Sequence, residues 1–226
     1  GETAATVSVA STQDTVFEGL EQFTLTGTAS GTAGGSSFTS NVATGTGGIV
    51  DDARLLGSTP ANDDRPSLTI VGETVSEGTN VSFAVNLSNA SSTVSTVALQ
   101  LNNGSATGVD YSRASVDVTV NGITTTIPVG GDGKFSFTLP AGQTAATVSV
   151  ASSQDLVFEG LEQFTLLGTA SGTAGGSSFT TNEATGTGGI VDDARVLDGT
   201  PADNDKPSLT IIGETVSEGT AVSFAV

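Results

Sequence analysis

The chain has no cysteine, histidine, tryptophan or methionine, a single tyrosine and only six basic residues. Without cysteine or histidine there can be no disulfides, no thiolate or imidazole metal ligands, and no catalysis built on a histidine base or a cysteine nucleophile. The lack of disulfides leaves the compartment open, because packing and bound cations can hold a large surface protein together. Twenty-four acids against those six bases give a net charge of -18. That balance disfavours nucleic acid and anionic membranes as partners and makes cations the natural ligands. No apolar run approaches the roughly 20 residues of a membrane helix, so no direct membrane insertion is expected in this segment. No signal peptide is present either, and a leader or anchor is expected elsewhere in a longer polypeptide.

What is abundant is valine, threonine, serine and glycine, the usage of strands and turns. The stretch GETAATVSVASTQDTVFEGLEQFTL from Gly1 returns as GQTAATVSVASSQDLVFEGLEQFTL from Gly142, an offset of 141 residues. The same offset relates PSLTIVGETVSEGTNVSFAV from Pro66 to PSLTIIGETVSEGTAVSFAV from Pro207. A fixed long period marks tandem structural units. Residues 1–52 are thus expected to be the second half of one unit, 53–65 an acidic linker and 66–193 a complete unit. A second acidic linker, 194–206, and the first strands of a further unit, 207–226, follow.

Within 66–193 the apolar residues alternate, as at Val81, Phe83, Val85 and Leu87, at Val116, Val118 and Val120, and at Phe135, Phe137 and Leu139. Such alternation marks strands with one buried face. Asn121-Gly122 between two alternating runs is a strong hairpin signal. Further strands are expected near 68–71, 94–101, 144–151, 163–167 and 186–191. Eight or nine short strands separated by turns predict an all-β chain of tandem, immunoglobulin-like two-sheet sandwiches. The glycine-rich stretches 169–178, 130–133 and 185–189 lack the lysine and following hydroxyl residue of a phosphate-binding loop, and none joins a strand to a helix. They are expected to be loops and glycine-relaxed strands.

Seven acids fall at four strand ends: Glu77; Asp110; Asp155, Glu159 and Glu162; and Asp192 with Asp193. In a sandwich of alternating strands such ends can converge. Two like charges about 4 Å apart repel by about 4 kcal/mol at an effective dielectric near 20, so converging carboxylates must protonate or bind a cation. Carboxylate and carbonyl oxygens are hard donors suited to calcium, whereas magnesium favours strict octahedral geometry and retained water. The competing reading is a merely solvated acidic surface.

With these residues in view, the unit resembles the Calx-beta domain of sodium/calcium exchangers and of tandem arrays in large bacterial surface proteins. The resemblance covers nearly all of 66–193. It rests on VSEG, GSATGVDY, FTLPAGQTAATVSV, DLVFEGLEQF and IVDDA taken together. It implies calcium ligation by Glu77, Asp110, Asp155, Glu159, Glu162, Asp192 and Asp193, with the Val157 carbonyl. In the flanking copies it implies the same for Asp14, Glu18, Glu21, Asp51, Asp52 and Glu218. Gln154 and Ala194 stand where exchanger-type sites carry further aspartates, which implies fewer ions or weaker affinity. The hairpin at 114–133 has no place in the family pattern and is expected to decorate the surface or contact a neighbouring unit. The tandem copies with acidic connectors resemble the extender regions of secreted RTX-type bacterial adhesins, in which calcium near the junction sets the angle between units. Asp203 and Asp205 read equally well as junction ligands or as solvated linker charges.

The function expected on this reading is a calcium-stiffened stalk or extender of an extracellular bacterial adhesin at the cell surface, with adjacent repeats of the same polypeptide as partners. The alternative is a subunit of a self-associating extracellular filament or biofilm matrix fibre, joined by homotypic contacts. Catalysis is not expected: Glu159 and Glu162 form a carboxylate pair, but no aromatic-lined cleft is evident in so aromatic-poor a chain.

Overall fold

The computed structural model describes residues 3–51, 64–192, 205 and 207–226. Asp52, Asp193 and most of both expected linkers lie outside the described residues. The described chain is all-β, and its principal body is a two-sheet sandwich.

The amino-terminal segment forms β1 (Glu21–Gly27), β2 (Ser30–Ala33), β3 (Ser36–Thr39) and β4 (Ala43–Ile49). β1 pairs with β4 and β2 with β3, both antiparallel. The sandwich follows, with β5 (Leu68–Gly72), β6 (Thr74–Ser76), β7 (Val81–Leu87), β8 (Ser95–Asn103), β9 (Ser115–Val120) and β10 (Ile123–Pro128). It continues with β11 (Lys134–Leu139), β12 (Ala145–Val150), β13 (Glu162–Ala174), β14 (Ser177–Thr180) and β15 (Ala184–Val191). The short pair β16 (Ile212–Gly213) and β17 (Phe224–Ala225) ends the chain.

One sheet runs in the order β10-β9-β12-β7-β5 and the other β11-β8-β13-β15-β6, with β14 hairpinned onto β13. The expected alternation is realised: Val81, Phe83, Val85 and Leu87 of β7 point into the core, as do Phe135, Phe137 and Leu139 of β11. At the centre, the Tyr111 ring stacks on Phe164 at 4.1 Å, and Phe83 meets Phe164 edge-on at 5.6 Å. Tyr111 directs its hydroxyl to Asn103 Oδ1 at 2.6 Å, which satisfies its one polar end inside an apolar core.

One expectation is corrected. The 114–133 hairpin is not decoration: β9 pairs with β12 as well as β10, and Val116 and Val118 enter the main core. Of the hairpin's two strands, only β10 lies at the sheet edge. Its turn uses Asn121 and Gly122, both at positive φ (51° and 76°), as a two-residue hairpin of matching twist requires. The stretch 169–178 is glycine-relaxed strand and turn as expected: it continues β13, turns at 175–176 and starts β14.

The first edge of the sandwich splits between sheets. β5 pairs with β7 in one, and after Gly72 and Glu73 the chain crosses over so that β6 pairs parallel with β15 in the other. Gly72 permits this crossing, since a Cβ there would lie 2.3 Å from the Thr187 carbonyl oxygen.

Candidate metal centre

Parallel pairing makes β6 and β15 run off the same end of their sheet. The chain leaving β6 therefore lies beside the chain leaving β15, and the Glu77 N–H donates to the Val191 carbonyl at 3.0 Å. Glu77 and Asp192 are thereby brought side by side, each at least nine-tenths buried (9% and 3% exposed). β13 begins at this same end, with Glu162 paired opposite Ile190 of β15. The 107–111 turn is tied there through Ala106, whose N–H donates to the Gln163 carbonyl at 2.9 Å.

Two groups of carboxylates result. In the first, Glu77, Asp192 and Asp205 place ligand oxygens within 4.8 Å of one another. Glu77 Oε2 and Asp192 Oδ1 are buried and have no hydrogen-bond partner. In the second, Asp110, Glu159 and Glu162 do the same at half-buried positions. Asp110 Oδ2 accepts from the Thr107 N–H at 2.6 Å and from the Thr107 hydroxyl at 3.1 Å. Asp192 Oδ2 accepts from the Glu159 N–H at 2.8 Å and so links the two groups.

The electrostatics follow from that crowding. Burial, then the charges of Asp155 and Asp192, push the Glu77 carboxyl up to about 7, against the lowering effect of the Asp155 main-chain hydrogen bond. Burial, then the charges of Asp110 and Glu159 and a hydrogen bond with Asp110, push Glu162 up to about 7. Glu159 is raised by burial and by Asp155, Asp110 and Asp192. Each shift reflects first the burial of a carboxylate and then its crowding by other anions, and a bound cation offsets both.

The remaining expected residues are placed unequally. Asp155 is exposed, with its Oδ1 accepting from the Val157 N–H at 2.7 Å, and it acts on both groups through its charge. Val157 is 56% exposed. In the amino-terminal copy, Asp14, Glu18, Glu21 and Asp51 line one open cleft of about 570 Å³ together with Asp64. The Glu18 N–H donates to Asp51 Oδ2 at 2.6 Å, mirroring Glu159 and Asp192. The Glu18 carboxyl is raised by burial and by Glu21, Asp14 and Asp51. Glu218 is exposed and joins neither carboxylate group.

Sequence reasoning left Asp205 undecided and passed over Asp64. The structure puts Asp205 in the first group and buries Asp64 to 6% exposure at the edge of the amino-terminal cleft. A signal existed: both precede a proline by two residues, as Asp64-Arg65-Pro66 and Asp205-Lys206-Pro207, at the repeat offset.

The donor set is oxygen only, partly buried and anionic, which fits a hard cation of flexible coordination such as calcium. The two orphaned buried oxygens point to such a ligand, because a buried carboxylate oxygen without a donor or cation costs several kcal/mol, about 1–3 or more.

No family model matches the chain, and no curated protein matches it. Solved structures do. The calcium-binding domain CBD12 of CALX1.1 is 18% identical at a TM-score of 0.37, and the match covers 56% of this chain but only 44% of that one. The apo form of the Calx CBD1 domain is 17% identical at a TM-score of 0.35, with 56% of this chain and 98% of that one covered. AggA, the major subunit of aggregative adherence fimbriae type I from Escherichia coli, is 16% identical at a TM-score of 0.35, covering 60% of this chain and 99% of that one.

Proposed function

We propose that the chain is a calcium-stiffened structural repeat of a long extracellular bacterial surface protein, serving as stalk or extender of an adhesin. The observation that carries this reading is the buried pair Glu77 and Asp192, each with an oxygen lacking any hydrogen-bond partner, gathered with the connector residue Asp205. An ion held by these three ties the connector to the end of the sandwich it leaves. Pro207 restrains the same junction, since its ring fixes its own φ. In this reading Asp110, Glu159 and Glu162 supply further ligand oxygens from the adjoining group, with Asp155 adding charge. The repeated sequence then makes length the product: each unit adds a fixed increment and each ion limits bending.

The test is thermal unfolding of the 226-residue chain in millimolar calcium and in chelator. A ligand held at about 100 times its dissociation constant adds about 2.7 kcal/mol to the folded state, so a clear rise in Tm is expected with calcium. An unchanged Tm sinks the metal assignment. Small-angle scattering of the calcium-loaded chain over a concentration series separates the two array readings: a concentration-independent rod supports the extender, and growing polymers support the filament.

A further inference from the structure

The end of the sandwich remote from its own carboxylates carries a small apolar cluster separate from the main core. Ala174 and Phe179 of the β13-β14 hairpin supply two members, and Phe17 of the amino-terminal segment supplies the third. The Phe17 ring is 1% exposed and meets Phe179 edge-on at 5.0 Å. The main chain docks too. The Phe17 N–H donates to the Ala90 carbonyl at 2.8 Å, the Phe17 carbonyl accepts from the Ser92 N–H at 3.0 Å, and the Leu20 N–H donates to the Gly175 carbonyl at 3.3 Å.

Each side of the contact is ordered by its own hydrogen bonds. In the amino-terminal segment, Asp14 Oδ1 accepts from the Val16 N–H at 2.9 Å and Asp51 Oδ2 from the Glu18 N–H at 2.6 Å. The amides on either side of Phe17 are thus satisfied within that segment, while Phe17 itself bonds across to the sandwich. On the sandwich, the Gly142 N–H donates to the Ser91 carbonyl at 2.9 Å and the Thr93 hydroxyl to the Thr173 carbonyl at 2.7 Å. The 90–93 loop is therefore tied to the β11-β12 turn and to β13. The two backbones also meet closely. A Cβ on Gly19 would lie 2.1 Å from the Ala174 carbonyl oxygen, and one on Gly175 would lie 2.5 Å from Gly19 Cα, so glycine faces glycine.

The covalent connector enters the sandwich at this same end. The Leu68 N–H donates to Asn182 Oδ1 at 3.0 Å, Asn182 Nδ2 donates to the Leu68 carbonyl at 3.1 Å, and the Ser67 N–H donates to Ser88 Oγ at 2.9 Å. The chain is held at 67–68, and the 17–20 segment is held separately at the 90–92 loop and the hairpin tip.

We infer that this end of the sandwich is a receptor for the 16–20 segment of the preceding repeat, so that successive units are joined at two points. A connector alone leaves one unit free to rotate about it. The second, non-covalent attachment removes that rotation, with Phe17 supplying apolar burial and Gly19 the close approach. The inference rests on reading the chain as successive repeats and adds to that reading a contact that needs no cation.

The full 226-residue chain tests this in chelator. Because it has no cysteine, spin labels can be placed by Thr46→Cys on β4 and Ser136→Cys on β11, both exposed positions. Double electron–electron resonance is expected to give one narrow distance. Gly19→Ala is expected to broaden it, and so is Phe17→Ala, which empties the cluster without overpacking it. Gly27→Ala, whose Cβ would meet nothing within 4 Å, is expected to leave it narrow. Gly19→Ala should also speed amide hydrogen exchange at Ser92 and Leu20 by about tenfold or more, since overpacking opens the contact. Protected amides of Val85 and Val148 in the core report that the sandwich itself stays folded. The joint is overturned if the distance distribution is the same with and without Gly19→Ala and Phe17→Ala, or if exchange at Ser92 does not change. Every reading is taken without calcium, so the joint and the metal assignment fail separately.

Discussion

Phe164 and Phe23 stand at the same place in the repeated sequence, yet Phe164 is fully buried between Tyr111 and Phe83 while Phe23 is 38% exposed. A side chain's burial is set by the strands laid over it, and among the described residues β1 and β4 form a two-stranded sheet by themselves. Phe164→Ala is expected to destabilise the sandwich by about 4 kcal/mol through lost transfer and an unfilled cavity. Phe23→Ala should leave the main denaturant transition within about 0.5 kcal/mol of its original position. Chemical denaturation of the two variants checks the contrast. Glu77→Gln belongs to the same scale. It removes a charge from a crowded anionic group, so in chelator the variant should melt at or above the unsubstituted protein, and in calcium it should gain much less. A merely structural carboxylate would lower Tm in both conditions.

Most strands were legible because the alternation of apolar residues is a local property with a period of two. β7, β9, β11 and β12 follow it closely, and Asn121-Gly122 marked the β9-β10 turn. Gly122→Val forces a branched side chain to φ near 76° with no steric neighbour to blame, so its cost of about 1 kcal/mol should be backbone strain alone. Urea unfolding of this variant measures it, and a loss near zero would mean the hairpin does not fold with the sheet. The strand least visible in advance was β6, three residues long with Val75 as its one apolar member. Its parallel pairing with β15 is a tertiary event, and that pairing places Glu77 beside Asp192.

Across the whole molecule, acid groups dominate the response to solution conditions. Glu77 and Glu162 have folded-state values near 7 against an ordinary 4.5, so each binds a proton more tightly folded than unfolded. Their contribution to metal-free stability is therefore fully present below about pH 4.5 and is lost as the pH rises through about 7. In chelator, Tm should fall between pH 5 and pH 8 by this mechanism. In calcium the cation replaces the protons, so the fall should flatten and calcium addition near pH 6.5 should release protons. Calorimetry in buffers of different ionisation enthalpy reads that release directly. A calcium response with no proton release would place the ion away from these two carboxyls.

The sequence by itself determined the ligand chemistry, the period and the alternating strands. Those are properties of composition and local spacing: a chain without cysteine or histidine offers a metal only oxygen, and near-identical segments 141 residues apart present the same pattern of apolar faces. Only the tertiary structure decided which acids meet. It gathered Asp205 with Glu77 and Asp192, left Asp155 and Val157 exposed, and made the 114–133 hairpin part of a sheet. It also gave identical motifs different neighbours, burying Phe17 and exposing Phe158. Convergence of that kind depends on strand order and on which unit lies alongside, and neither is encoded in the spacing of residues along one strand.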